Sequence, residues 1–175
     1  MSTRTAPPIR PDMTMAEIQE HYPSARRALF QRYHVGGCSS CGFDATDTLE
    51  KVCRDHNLLD VPGVVQHLLN SHEVDLRMQV EPSQVKAWQD AGETFLFLDL
   101  RHPSQVGAAH VEGAEPLDFV NQAKYLELPK DTHIVFLCQS GVTSLDAAAY
   151  FAGHGFTRVH SVRGGVEAWA AEVAG

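Results

Sequence analysis

Two continuous apolar runs constrain the fold of this 175-residue chain more than any other feature. FLFLDL begins at Phe95 and HIVFLC begins at His133. Such runs are typical of strands that are buried on both faces, as in parallel sheets. Weaker strand patterns occur in RMQV and TRVHSV, and helical patterns cover about residues 82–92, 118–125, 142–153 and 165–173. Strands that alternate with helices predict an α/β fold, with a mostly parallel sheet and helices on both faces.

The preceding part of the chain, residues 14–73, has the pattern of four short helices. Thr14 and Asp47 each precede a glutamate by three residues, which is capping-box spacing, and Pro23 and Pro62 occupy first-turn positions. We therefore predict a small all-α domain at 14–73, a short linker, and an α/β domain at 78–175. A domain of about 60 residues has little core, so a dithiol, a metal or a docked neighbour would help to hold it.

Charge and hydropathy exclude two classes of partner. The chain has 22 acidic and 14 basic residues and a formal charge of -8, so it repels nucleic-acid phosphates and anionic membrane surfaces. No run approaches the roughly 18 apolar residues of a membrane span, and the opening residues lack the apolar core of a signal peptide. We expect a cytoplasmic protein. In that reducing compartment its four cysteines are reactive or metal-binding more often than permanently paired.

The loop CQSGVTS, which begins at Cys138, is the main candidate site. Cys138 ends a predicted strand and precedes a predicted helix, at the edge where parallel sheets bind their ligands. A cysteine nucleophile reacts as a thiolate, which the N–H groups at the helix start and nearby hydroxyls can stabilise. The alternative is a buried, inert cysteine. The remaining loop residues are Gln139, Ser140, Gly141, Val142, Thr143 and Ser144.

Four motifs in order make residues 81–174 resemble a single rhodanese (sulfurtransferase) domain. They are Asp99-x-Arg101 in FLFLDLRHP, His110 with Gly113 and Ala114 in AAHVEGAEPL, the run IVFLCQSGVTS, and GFTRVHSVRGGVEAW. The resemblance implies that Cys138 takes a sulfane sulfur as a persulfide, held by the N–H groups of the loop. It also implies that Cys138 passes this sulfur to a nucleophilic acceptor, which we expect to be a thiol, and we expect no required cofactor. The uncharged side chains of the loop suit a persulfide donor, from a protein or a small thiol.

Two positions in the loop depart from the family pattern. Rhodaneses that use thiosulfate usually carry a basic residue and an arginine where this chain has Gln139 and Thr143. Without those cations a dianionic donor loses attraction of about 1–3 kcal/mol, so we expect weak thiosulfate activity. Phosphatases and arsenate reductases on related folds need an arginine where this chain has Ser144, which disfavours phosphoryl chemistry. The other class of function is a non-catalytic module whose loop only binds an anion or a partner protein.

Other polar residues of this region have structural interpretations. Sulfur transfer needs little proton movement, so we expect Asp99 to bond to loop backbone and His110 to support a turn. Arg101 and Arg163 either reach the mouth of the cleft or form surface salt bridges. Three further histidines at strand or helix ends are predicted to be exposed: His133, His154 and His160.

The N-terminal unit contains a second cysteine cluster. Its set C-x2-C-x11-C-x2-H, formed by Cys38, Cys41, Cys53 and His56, has the ligand number of a zinc site, and the thiolates could hold part of an iron–sulfur cluster. The alternative is a redox dithiol of Cys38 and Cys41 with Cys53 packed in the core. We favour the dithiol, because one histidine on an exposed helix turn is weak evidence for a ligand.

This unit also resembles known small helical domains. The shared pattern is a Tyr-Pro pair at Tyr22, then HVGGCSSCG and DTLEKVC. It resembles the hybrid-cluster-protein-associated disulfide redox domain and the helical unit of ScdA-like iron-centre repair proteins. Together with Cys138, this resemblance predicts a relay in which Cys38 or Cys41 accepts the persulfide sulfur and the pair closes to a disulfide, releasing sulfide.

Overall fold

The computed structural model describes residues 6–36, 42–107 and 109–174, in two compact units, Met1–Val74 and Asp75–Gly175. The helices in the described residues are α1 (Met15–His21), α2 (Ala25–Tyr33), α3 (Leu49–Asp55), α4 (Val61–Met78), α5 (Pro82–Asp90), α6 (Pro103–Val106), α7 (Ala123–Leu126), α8 (Val142–Gly153) and α9 (Gly165–Glu172). The strands there are β1 (Gln79–Val80), β2 (Leu96–Asp99), β3 (Glu115–Pro116), β4 (Ile134–Leu137) and β5 (Val159–Val162).

Side-chain caps start two of the N-terminal helices. The predicted capping box of α1 is confirmed, because the Glu17 N–H donates to the Thr14 hydroxyl and the Glu17 carboxylate accepts the Thr14 N–H. The prediction that Asp47 caps α3 is wrong. The Thr48 hydroxyl accepts the N–H of Lys51 at 3.2 Å, while the Asp47 carboxylate closes the preceding turn. A threonine directly after the aspartate offers the same chemistry one residue later.

Helix α4 is much longer than the short helix predicted for it. It has 18 residues, so the linker expected between residues 73 and 78 is helical. No glycine or proline interrupts the sequence between Gly63 and Pro82 to end it earlier. Leu68 packs in the apolar core of the first unit and Met78 in that of the second. In the part of the chain that the structure describes, no helix is both long and apolar enough to cross a membrane.

The second unit confirms the predicted α/β class. Its described strands form one parallel sheet in the order β1-β5-β4-β2-β3. Side chains of β4 alternate between the two faces: Phe136 packs with α8, whereas Val135 packs with the cluster that includes Val85 of α5 and Trp169 of α9. Helices therefore cover both faces of the sheet. The short elements β3 and α6 were not predicted, because two to four residues carry no periodic signal.

Candidate active site

Cys138 directly follows β4, the strand that lies between β2 and β5. All four residues of β4 are buried, and the Cys138 residue is only 5% exposed. Because the three strands are parallel, their carboxyl ends meet at this edge of the sheet. Helix α8 begins four residues later at Val142, so the sulfur lies between a strand end and a helix start, as the sequence predicts.

The loop directs hydrogen-bond donors at the sulfur. The backbone N–H groups of Gly141 and Ser144 donate to Cys138 Sγ at 3.1 and 3.3 Å, and the Ser144 hydroxyl oxygen lies 3.2 Å from it. Gly141 has φ of +88°, a conformation that glycine adopts without steric cost. Backbone N–H groups only donate, so they stabilise a sulfur that carries negative charge better than a neutral thiol.

The Gly-Gly pair after β5 holds this loop in place by close backbone contact. A Cβ on Gly141 would lie 2.7 Å from the backbone nitrogen of Gly164, and a Cβ on Gly165 would overlap the carbonyl oxygen of Cys138. That oxygen accepts the N–H of Val166 at 2.9 Å. The absence of a Cβ at Gly141 and at Gly165 therefore allows the start of α9 to pack directly against the cysteine loop.

The outer side of the loop is uncharged and meets a carboxylate. Gln139, Ser140, Val142 and Thr143 are exposed. The Gln139 amide donates to Glu167 Oε1 at 3.2 Å. Sequence reasoning missed Glu167, which comes 28 residues after its partner. The side chain that directly follows Cys138 in sequence is therefore an uncharged amide paired with a carboxylate, and it is not a cation.

Neither candidate arginine is free to bind such a donor. Arg101 is 3% exposed, contrary to both a cleft-mouth and a surface position. Its guanidinium bonds to both carboxylate oxygens of Asp99, at 2.7 to 3.1 Å, and to the carbonyl of Ala109 at 2.8 Å. Asp99 also accepts the Arg101 backbone N–H at 3.0 Å. Arg163 forms an exposed salt bridge to Glu81 at 3.2 Å.

The histidines divide between surface and interior. His110 and His154 are exposed, but the predictions that His133 and His160 are exposed are wrong, since His133 is 4% exposed and His160 is half-buried. His133 Nδ1 lies 3.1 Å from a Glu93 oxygen, and its Nε2 lies 3.2 Å from Nδ1 of the half-buried His160. Burial lowers the pKa of both His133 and His160. His133 precedes β4, so this pair lies at the sheet edge opposite Cys138.

The N-terminal cysteine cluster is described only in part. Cys38 and Cys41 lie outside the described residues. Cys53 is 0% exposed in the apolar core of its unit, and burial raises the pKa of its thiol. His56 is half-buried, with Nε2 3.4 Å from the Gly42 carbonyl oxygen. Among the described residues there is no group of three side chains placed to hold a metal.

A buried serine of β5 completes the site, and sequence reasoning missed it. Ser161 is 0% exposed and its Oγ lies 2.8 Å from Ser144 Oγ. The available signal was its position as the one hydroxyl residue of the strand VHSV, in a sheet whose strands are otherwise largely apolar. The three side chains of Cys138, Ser144 and Ser161 thus form a continuous buried chain.

Comparison with known proteins identifies the family of the second unit. The model of the rhodanese-like domain family matches residues 81–172, more than half of the chain. Thiosulfate sulfurtransferase GlpE of Pseudomonas entomophila is 34% identical over 92 residues, which are 52% of this chain and 83% of that protein. The probable adenylyltransferase/sulfurtransferase MoeZ of Mycobacterium tuberculosis is 31% identical over 97 residues, or 54% of this chain but only 25% of MoeZ.

Solved structures include a rhodanese-like domain from Anabaena, with a TM-score of 0.47 and 25% identity over 54% of this chain and 74% of that chain. The structure of reduced CoADR-RHD of Bacillus anthracis has a TM-score of 0.49 and 21% identity, over 63% of this chain and 19% of that chain. The N-terminal helical unit lies outside the residues that the family model matches. Through residues 81–172, the chain belongs to the rhodanese-like domain family, and relatives of this segment are named sulfurtransferases.

Proposed function

We propose that this protein is a sulfurtransferase or persulfide carrier in which Cys138 takes up and hands on a sulfane sulfur. The observation that carries the proposal is the set of polar groups around the sulfur: two backbone N–H donors at 3.1 and 3.3 Å, and the Ser144 hydroxyl oxygen at 3.2 Å. Such a set favours the anionic sulfur that the reaction needs at Cys138. The names of the relatives support the same class of chemistry.

The chemistry consists of two displacements at sulfur. The Cys138 thiolate attacks the outer sulfur of a donor persulfide, the donor's sulfur–sulfur bond breaks, and the donor leaves as a thiolate. Cys138 then carries the transferred sulfur as a persulfide, which becomes an anion when its proton is lost to solvent. An acceptor thiolate attacks that outer sulfur and releases the Cys138 thiolate again. The two steps together transfer one sulfur without net oxidation or reduction.

The charges at the loop favour a persulfide over thiosulfate as donor. Thiosulfate is a dianion, and Glu167 places a carboxylate beside Gln139 while Arg101 and Arg163 are engaged elsewhere. A dianion is repelled about twice as strongly by a fixed negative charge as a monoanion at the same distance. We therefore expect a persulfide donor, from a protein or a small thiol, to react faster than thiosulfate.

The proposal is tested at Cys138 by intact mass. Incubation with a glutathione persulfide or a cysteine-desulfurase system should add about 32 Da, one sulfur, to the protein. The variant Cys138→Ser should lose this gain, whereas the matched control Cys53→Ala should keep it, because that thiol is buried in an apolar core. No gain with any donor would favour the non-catalytic binding module instead, and a gain that persists in Cys138→Ser would refute the assignment of the sulfur to Cys138.

We further propose the Cys38 and Cys41 pair as the acceptor. One thiolate of the pair takes the outer sulfur from Cys138, and the other attacks its partner's inner sulfur, which closes a disulfide and releases hydrosulfide. A double variant of these two cysteines to serine should abolish sulfide release without lowering the loading of Cys138. Unchanged release would contradict the relay. Stoichiometric zinc or iron in untagged protein, by elemental analysis, would support a metal site at Cys38 and Cys41 in place of the dithiol.

A further inference from the structure

We propose that Ser161 is a positioning residue that orients the Ser144 hydroxyl toward Cys138, a role that rests on the function proposed above. Ser161 touches neither the sulfur nor any group that would react. It is the far end of a chain of hydrogen-bonding atoms: Ser161 Oγ to Ser144 Oγ at 2.8 Å, and Ser144 Oγ to Cys138 Sγ at 3.2 Å. The proposal therefore assigns a role in the reaction to a residue of β5, outside the cysteine loop.

Because the Ser144 and Ser161 hydroxyls are buried, each needs a hydrogen-bond partner within the protein. Ser144 and Ser161 are both 0% exposed. Ser161 pairs with Phe136 in the sheet register and lies on the face covered by α8, the helix that carries Ser144. A buried hydroxyl that lacks a partner is costly, and the two oxygens are close enough to satisfy each other. Their orientation is then coupled to the state of the sulfur at the other end of the chain.

The direction of the chain follows from the ionisation of the sulfur. A neutral thiol donates its hydrogen to Ser144 Oγ, and the Ser144 hydroxyl is then turned toward Ser161. A thiolate only accepts, so the Ser144 hydrogen must turn toward Cys138 Sγ, and the Ser144 oxygen in turn accepts the hydrogen of Ser161. The thiol proton itself leaves to solvent. Rotation of two hydroxyls therefore keeps each of the three side chains hydrogen-bonded to its neighbour in both states.

Ser161 acts on the sulfur only through Ser144 in this arrangement. A hydroxyl that accepts a hydrogen bond becomes a stronger donor, so Ser161 strengthens the bond from Ser144 to the thiolate. A serine that merely fills space between β5 and α8 would affect the free energy of unfolding but not the ionisation of Cys138. Coupling between the two serine positions distinguishes these roles.

The experiment is a double-variant cycle on Cys138 alkylation by iodoacetamide. The rate at Cys138, followed by peptide mass spectrometry, is measured against pH for the wild type, Ser144→Ala, Ser161→Ala and the double variant. We expect Ser144→Ala to raise the pH of half-maximal rate by about 1 unit and Ser161→Ala by about half of that. The double variant should match Ser144→Ala alone, and the exposed control Ser83→Ala should not move the midpoint.

Two further variants of Ser161, matched to each other in shape, test the proposal even if Ser161→Ala does not fold. Ser161→Thr and Ser161→Val have nearly the same shape, but only threonine keeps a hydroxyl. Valine should shift the midpoint as alanine does, whereas threonine should retain the wild-type value. Equal midpoints for the two variants, or a Ser161→Ala shift that persists in full when Ser144 is already alanine, would overturn the proposal.

Alkylation requires no sulfur donor, so this test stands apart from that of the proposed function. Coupled shifts in the cycle together with no persulfide on Cys138 would leave the serine chain supported and refute sulfur transfer. A persulfide that forms normally in Ser161→Ala, together with an unshifted alkylation midpoint, would support sulfur transfer and refute the role of Ser161.

Discussion

The Gly-Gly contact at the cysteine loop makes a quantitative prediction for Gly165→Ala. Gly165 has φ of +60°, where an alanine costs about 1–2 kcal/mol in the left-handed region. A Cβ there would also overlap the Cys138 carbonyl oxygen and lie 2.6 Å from that of Gln139. Both oxygens are backbone atoms, so the overlap can be relieved only by moving the loop away from the start of α9.

The energetic cost of that movement follows from the hydrogen bonds it breaks. The N–H of Val166 donates to Cys138 O at 2.9 Å, and the N–H of Glu167 donates to Gln139 O at 3.3 Å. Each bond contributes about 0.5–1.5 kcal/mol net, so the pair adds about 1–3 kcal/mol to the cost of the backbone strain. Gly165→Ala should therefore lower the free energy of unfolding by about 2–5 kcal/mol.

Gly92→Ala is the matched control. Gly92 has φ of +73°, and a Cβ built on it meets nothing within 4 Å, so its alanine variant carries the strain alone, about 1–2 kcal/mol. Both variants are measured by urea unfolding with tryptophan fluorescence, which reports the second unit because it contains both tryptophans of the chain. Equal losses of unfolding free energy in the two variants would refute the close-contact reasoning.

Three further outcomes are expected. Burial lowers the pKa of His133 and of His160 below the ordinary value of 6.5, so these histidines take up protons in the unfolded chain before they do so in the folded protein. The free energy of unfolding, measured with urea, should therefore be constant above about pH 6.5 and fall below it, by up to about 1.4 kcal/mol per pH unit for each histidine. His160→Gln should reduce that slope. Asp99→Asn should cost about 3–5 kcal/mol in the same assay, because it leaves the Arg101 charge buried without its partner, while the apolar double variant Asp99→Leu/Arg101→Met should cost less. Glu167→Gln should raise kcat/KM for thiosulfate by about two- to sixfold at low salt and have little effect near 1 M salt; an equal effect at both salt concentrations would count against an electrostatic cause.

The parts of the fold that the sequence predicts are those with a repeating local signal. β4 is a run of apolar residues buried along its whole length, and α8 spans Val142–Gly153, the predicted range. Their order also places Cys138 at the carboxyl end of β4, because that is the end of a parallel strand from which the chain passes into the following helix. The N-terminus of α1 is equally local, since its capping box needs only Thr14 and Glu17.

The parts that escape prediction depend on contacts between distant residues. Ser161 and Ser144 are 17 positions apart, and their hydroxyls meet only after β5 pairs with β4 and α8 packs over both. Glu167 reaches Gln139 across 28 positions. Periodicity places Ser161 in a predicted strand and Glu167 in a predicted helix, but it does not indicate which distant side chain either residue contacts. His133 was misassigned for the same reason, because the side chain of Trp88 in α5 covers it.

The outer strands of the sheet have a consequence for its behaviour in concentrated solution. β1 and β3 form the two edges, and each has only two residues, with Pro116 in β3. An exposed edge is where another chain can add a strand, and proline lacks the N–H that such pairing needs. The longer, apolar strands β2, β4 and β5 are all interior. The fold therefore keeps its most aggregation-prone segments shielded by edges that are too short to template a neighbour.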